Sequence, residues 1–138
     1  MPDEPYEFLR GVPLFSDVSD KDLHTIAVSM RRRVFVPGEG IVAEGEGGIG
    51  FFFVEKGSVA ITQTGERRAT LGPGDHFGEI ALLSGAERTA TVSADSDVVC
   101  WGMPAWNFRP LVREQPSVTM KLLEGMARQL AGAPRRGG

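Results

Sequence analysis

The stretch FFFVEKGSVAITQTGERRATLGPGD, residues 51–75, reads as three strands separated by tight turns. Phe51-Phe52-Phe53-Val54 is a strongly apolar run that stops at Glu55-Lys56-Gly57. Val59 and Ile61 then alternate with Ala60 and Thr62, and Gln63-Thr64-Gly65-Glu66 makes a hairpin-like break. Arg68 to Leu71 is the return strand, halted by Gly72-Pro73-Gly74-Asp75. Short β-rich runs divided at this spacing by Gly and Pro indicate a β-sandwich, barrel or jelly roll.

The pattern extends in both directions. Upstream, Val34 and Val36 alternate with Arg33 and Phe35 before Pro37-Gly38, and Ile41-Val42-Ala43 is closed by the glycine-rich run Gly45 to Gly50. Downstream, Thr89 to Ala94 and Val98 to Met103 flank the turn Asp95-Ser96-Asp97. Helical signals hold the two ends. Tyr6, Phe8 and Leu9 open a short segment broken at Gly11-Val12-Pro13. Ser19-Asp20-Lys21-Asp22 is a capping pattern followed by Leu23, Ile26, Ala27 and Met30 on one helical face. After Pro104, Trp106, Phe108, Leu111 and Val112 can line a short helix whose start Pro110 restricts. Pro116 suits the first turn of a last helix carrying Val118, Leu122, Leu123, Met126, Ala127 and Leu130. The expected fold is mainly β with flanking α: an eight-stranded β-barrel or double-stranded β-helix (jelly roll), with N-terminal helices and two C-terminal helices. Residues 1–131 form one domain in this reading, and 132–138 a flexible tail.

Composition agrees and excludes several function classes. The chain has 138 residues, 41% hydrophobic and 24% charged, which are globular values. Its 18 Gly and 9 Pro, about a fifth of the chain, follow no collagen-like period and suit many turns. With 15 basic and 18 acidic residues the net charge is −3. A compact nucleic-acid binder usually carries a basic excess, and the clusters Arg31-Arg32-Arg33, Arg67-Arg68 and Arg135-Arg136 are short. No nucleic-acid partner is expected. The single cysteine, Cys100, cannot form an intrachain disulfide, and Val98-Val99-Cys100-Trp101 reads as a buried strand. No apolar run reaches membrane-spanning length and no secretory signal pattern opens the chain, so a soluble, cytoplasmic protein without a membrane partner is expected.

One segment breaks the strand pattern: FGEIALLSGAERTATV, residues 77–92. Gly78 stands where a strand must turn abruptly into a helix, and Glu79 to Leu83 are adequate helix formers. A helical turn begins with unpaired backbone N–H groups and the positive end of its dipole, and glycine at its entrance lets an anion approach. Arg88 lies across a loop of small residues and can close over the same point, its planar fork suited to two phosphate oxygens. Glu79 beside an anion makes sense as an acceptor for a hydroxyl such as a ribose 2′-OH. Spacing alone leaves a plain turn, with Arg88 solvated or paired to Glu79, as an open alternative.

The run resembles the phosphate-binding cassette of the cyclic nucleotide-binding domain family, F-G-E-[LI]-[AS]-L-L, a short loop, then R-[STA]-A-[ST]-V. Gly78, Glu79, Ala81, Arg88, Thr89 and Ala90 match. The resemblance covers nearly the whole chain. Pro13-Leu14-Phe15-Ser16-Asp17-Val18-Ser19 is similar to the family's opening helix motif, and Gly57-Ser58-Val59 and Leu71-Gly72-Pro73-Gly74-Asp75 to its glycine turns. It implies that Arg88 pairs with the cyclic phosphate, aided by backbone N–H groups near Ala81 and Thr89–Ala90. It also implies that Glu79 takes the ribose 2′-OH and that Gly78 allows close approach. The ligand-binding set is therefore Gly78, Glu79, Ile80, Ala81, Arg88, Thr89 and Ala90. Ile61, Ala69 and Leu71 resemble apolar base-pocket positions and fit ordinary core equally well. Leu123 and Met126, with Ala127 and Leu130, are candidates for a lid over the base, although packing alone also explains their spacing.

The function implied is a regulatory sensor that converts cyclic-nucleotide concentration into movement of the C-terminal helices. The regulatory ligand is cAMP, favoured over cGMP, while the Thr89 hydroxyl permits guanine as well. Neither catalytic residues nor a metal are expected. His24 and His76 are the only imidazoles, too few for the metal cluster of an enzymatic jelly roll, and His76 reads as a turn or strand-end residue. The alternatives are a ligand-free member used for protein contacts and the sensor fragment of a larger kinase, channel, acetyltransferase or transcription factor. A transcription factor would require a helix-turn-helix reader that the 138 residues leave no room for. The expected partners are an effector protein or a missing effector domain, with a homodimer through the helices also open.

Overall fold

The computed structural model describes residues 5–42, 50–84 and 90–132. Helix α1 (Tyr6–Arg10), a 3-10 turn (Pro13–Phe15) and α2 (Asp20–Val28) lead into eight strands among the described residues. These are β1 (Arg31–Phe35), β2 (Gly40–Val42), β3 (Gly50–Lys56), β4 (Val59–Gln63), β5 (Glu66–Leu71), β6 (His76–Phe77), β7 (Thr91–Ala94) and β8 (Val98–Pro104). Helix α3 (Glu79–Ser84) interrupts them, and α4 (Ala105–Glu114) and α5 (Pro116–Leu130) follow. At α2 the capping pattern acts as read: the Asp22 backbone N–H donates to Ser19 Oγ at 3.2 Å, satisfying a donor that the helix cannot.

The strands form two four-stranded antiparallel sheets, β1-β8-β3-β6 and β2-β7-β4-β5. Between them lies a cluster drawn from both: Phe35, Phe52, Val54, Phe77, Val98 and Cys100 from one, Val59, Ile61, Leu71, Val92 and Ala94 from the other. Among the described residues the two ladders remain separate, so the architecture observed is a two-sheet sandwich; no closed eight-stranded barrel is formed by these ladders.

A second cluster lies on the outer face of the first sheet, where α1, α2, α4 and α5 bury Phe51, Phe53, Trp101 and Met103. Strand β3 therefore has core on both faces. This is why Phe51 to Val54 is uninterrupted apolar sequence, with successive side chains feeding opposite clusters.

Four details differ from the sequence expectation. In β1 it is Phe35 that faces the core, while Val34 and Val36 are exposed. Strand β6 is only two residues long, yet it pairs with β3 through Phe52↔Phe77 and Phe53↔His76. Pro110 sits inside α4 rather than at its start, and Trp106 on that helix is 78% exposed, while Phe108 and Leu111 carry its packing. On α5, Val118 and Leu122 are buried whereas Leu123 and Leu130 face outward. Lys121 of α5 reaches the opening turn, donating to Pro13 O at 3.2 Å and Ser16 Oγ at 2.6 Å. Of the expected tail, residues 132–138, all but Gly132 lies outside the described residues.

Candidate functional site

The turn before β6 sets the site. Asp75 Oδ2 accepts the Gly72 N–H at 2.9 Å, and the Gly74 N–H donates to Val54 O at 2.9 Å. The Val54 N–H returns the bond to Asp75 O at 3.0 Å. Gly74 has φ +91, a conformation that side-chain-bearing residues avoid. The turn is thereby pinned to the middle of β3, and His76 and Phe77 are delivered beside Phe53 and Phe52.

Phe77 turns into the sandwich and stacks on Phe52 with centroids 5.2 Å apart and planes 18° from parallel. His76 points the other way, toward Phe51 and Phe53. Gly78, at φ +107, then reverses the chain so that α3 starts at once with Glu79. Glu79 is 2% exposed, and its Oε1 lies 3.5 Å from His76 Nδ1. Neither of those two atoms has a hydrogen bond among the described residues. An ionised carboxylate is costly to bury without a partner. This orphaned acceptor behind a positive-φ glycine is the most unusual chemical feature of the described chain.

Ile61 pairs with Ala69 across one ladder and with Val92 across the other, and Val59 pairs with Leu71. Ile61 and Leu71 are buried in the inter-sheet cluster, with Ala69 and Ala90 half-buried against it. The sandwich thus brings together the three apolar strand positions singled out from sequence, and Ala90 of the cassette with them. Leu123 and Met126 are not brought to this group. Leu123 is 54% exposed, and Met126 packs on the helix-side cluster, since α5 rests on the opening turn and α4. Arg88 and Thr89 lie outside the described residues. Ile80 and Ala81 stand in the first turn of α3, their side chains likewise outside.

His76 is the residue that sequence reading placed as a turn or strand end and whose contact with Glu79 it missed. The signal was present as His-x-Gly-Glu: a glycine two residues after a strand-end histidine allows the fourth residue to fold back onto it. Cys100 carries no nucleophilic chemistry, because burial pushes its thiol up to about 12. Among the described residues no group of three or more His, Cys, Asp or Glu side chains could hold a metal ion, and no helix is long and apolar enough to cross a membrane.

Comparison with known proteins gives one consistent result. Residues 32–115 match the family model described as the cyclic nucleotide-binding domain. A cAMP-dependent protein kinase regulatory subunit of Yarrowia lipolytica is 42% identical over 89 residues, 63% of this chain and 24% of that protein. The human potassium/sodium hyperpolarization-activated cyclic nucleotide-gated channel 4 is 31% identical over 110 residues, 80% of this chain and 9% of the channel. Among solved structures, the regulatory domain of Toxoplasma gondii PKA with cAMP superposes with a TM-score of 0.80 at 27% identity. That alignment covers 90% of this chain and 48% of the other. The chain spans a quarter or less of the length of these two curated relatives.

Proposed function

The chain belongs to the cyclic nucleotide-binding domain family, and from that premise we propose that it is a regulatory sensor module that binds cAMP in preference to cGMP. The observation that carries this reading is Glu79: a buried carboxylate whose Oε1 has no hydrogen bond among the described residues, presented by the Gly78 reversal at the end of a strand. A carboxylate has acceptor capacity on both oxygens. A ribose 2′-hydroxyl can donate to it, which offsets part of the cost of burying the carboxylate when ligand is present. Arg88 pairs with the cyclic phosphate, assisted by backbone N–H groups of the cassette near Ala81 and Thr89–Ala90. Ile61, Ala69 and Leu71 offer an apolar wall to the base. The preference for cAMP rests on the cAMP named in the Toxoplasma structure and on the regulatory-subunit relative.

The output is movement of the C-terminal helices. In the conformation described, Leu123 of α5 is exposed and Met126 is engaged on the helix-side cluster. Swinging α5 toward the base exchanges those contacts for ligand contacts, and ligand shifts the population because it favours one of the two states. The partner is an effector protein or effector domain, such as the catalytic machinery that regulatory subunits govern, in a cytoplasmic setting. Residues 1–131 constitute the sensor and 132–138 a tail.

The test of the site is Glu79→Gln titrated with cAMP and with its 2′-deoxy analogue. Loss confined to the ribonucleotide, of about tenfold for one charge-assisted bond, supports the ribose role. Equal losses with the two ligands exclude it. Titrating the unmodified chain with cGMP in parallel tests the stated preference, which equal or tighter cGMP binding would overturn.

A further inference from the structure

His76 and Glu79 form a contact that the ribose reading of Glu79 alone does not use. They are the two buried polar or charged side chains among the described residues, 9% and 2% exposed, and they face each other atom to atom at 3.5 Å. No other lysine, arginine or histidine nitrogen of the described residues lies within ion-pairing distance of Glu79. The imidazole is held from two sides. The Phe51 ring meets it edge-on at 5.3 Å and 74°, and the Phe53 ring is tilted against it at 5.9 Å and 58°. Its backbone is fixed by the Phe53↔His76 register. A ring so confined keeps Nδ1 beside Oε1, at the outer limit of hydrogen-bonding distance.

Chemistry limits what this contact can be. A carboxylate oxygen facing a bare imidazole nitrogen sets lone pair against lone pair, so one of the two must carry a proton. If the carboxyl carried it, the site would present an acid as a donor, unsuited to accepting a hydroxyl hydrogen. If Nδ1 carries it, the pair is an N–H directed at a carboxylate, and Glu79 remains an acceptor even when buried.

Resting on the sensor reading above, we propose that His76 is a positioning residue for the ligand's ribose. Its Nδ1–H fixes the orientation of the carboxylate through Oε1 and leaves Oε2 to accept the 2′-hydroxyl. His76 then touches no ligand and acts only through Glu79. Its removal should cost affinity in proportion to what the ribose hydroxyl contributes, and should leave the phosphate and base contributions unchanged.

The experiment is calorimetric titration of the full chain, His76→Leu and His76→Asn with cAMP and with 2′-deoxy-cAMP. His76→Leu is expected to weaken cAMP about tenfold and the deoxy analogue less than about twofold, the scale of one hydrogen bond to a charged group. His76→Asn, whose amide nitrogen stands near the position of Nδ1, is expected to recover cAMP affinity to within about threefold of the unmodified chain. Parallel losses with both ligands, or an asparagine variant as weak as the leucine one, overturn the proposal. Should the leucine variant not fold, the asparagine variant and the ligand-free spectrum decide. The ¹⁵N shift of His76 Nδ1 is expected to be that of a protonated nitrogen, and a bare-nitrogen shift overturns the assignment. If the unmodified chain binds neither nucleotide, the sensor reading fails, while the Nδ1 shift still tests the pair by itself.

Discussion

Gly57 and Asp97 approach so closely that a Cβ on Gly57 would overlap the Asp97 carbonyl oxygen. The glycine lies in the β3–β4 turn, with φ +86, and the aspartate in the turn between β7 and β8. The neighbouring Ser58 N–H donates to Ser96 Oγ at 3.1 Å, and the Asp95 N–H donates to Ser58 O at 2.9 Å. Two turns that each cross between the sheets are thus joined, one of the two bonds running backbone to backbone. The gap admits hydrogen only.

Gly57→Ala should therefore destabilise the chain by at least about 2 kcal/mol, combining left-handed strain with a clash that no rotamer relieves. Gly38→Ala is the control. Its φ is +87, but open space surrounds it, so it should cost only about 1–2 kcal/mol, the strain alone. Urea unfolding of both variants checks the difference, and equal losses would mean that the turn contact is soft.

Arg67 ties β5 to the same region, its two terminal nitrogens reaching Asp95 Oδ2 at 2.8 Å and Oδ1 at 3.2 Å. Hydrogen bonding from the guanidinium, reinforced by its charge, holds the Asp95 carboxyl below its usual 3.8. A folded value lower than the unfolded one gives stability that is present above about pH 4 and lost as acid titrates the folded carboxylate. The stability difference between the unmodified chain and Asp95→Asn should shrink as pH falls below that point. Thermal melts across pH 2–7 read it, and a pH-independent difference would remove the ion pair from the account. The effect will be small, because Arg67 is half exposed and solvent screens the pair.

Cys100 is fully buried, and burial raises its thiol to about 12. Folded protein should resist iodoacetamide at pH 8, where a free thiol reacts readily, and should be alkylated only at the rate at which it opens. Fast labelling with the fold intact would show that the inter-sheet core is looser than its packing indicates.

Arg88→Ala should leave the melting behaviour unchanged and weaken cyclic-nucleotide binding by more than tenfold, since a charge-assisted pair contributes on the order of 1.5–3 kcal/mol. A change of less than threefold would mean that the phosphate is held elsewhere.

How much of this was legible in the sequence depended on the length of the signal. Ser19 as a cap and Pro116 at the start of α5 could be read because each is a local rule acting on adjacent residues. The Gly78 reversal into α3 was legible for the same reason. The phase of β1 was not. Alternation over Val34, Phe35 and Val36 marks two faces but does not say which one meets a second sheet, and Phe35 took the core. Strand β6, with two residues, is too short for any period, and its existence follows from the Gly72–Asp75 turn binding Val54. The helical spacing of Val118, Leu122, Leu123 and Met126 was correct as spacing, yet only the tertiary packing of α5 on the opening turn separates buried Leu122 from exposed Leu123. At the candidate site the glycine and the carboxylate were legible as a motif. The imidazole beside them was not, because its role arises from a fold-back in space.

The central claim is tested most directly by calorimetric titration of the unmodified chain with cAMP. The account predicts saturable binding, one nucleotide per chain, at sub-millimolar concentration. Absence of saturable heat with both cAMP and cGMP up to that concentration, from a chain that melts cooperatively, would contradict it.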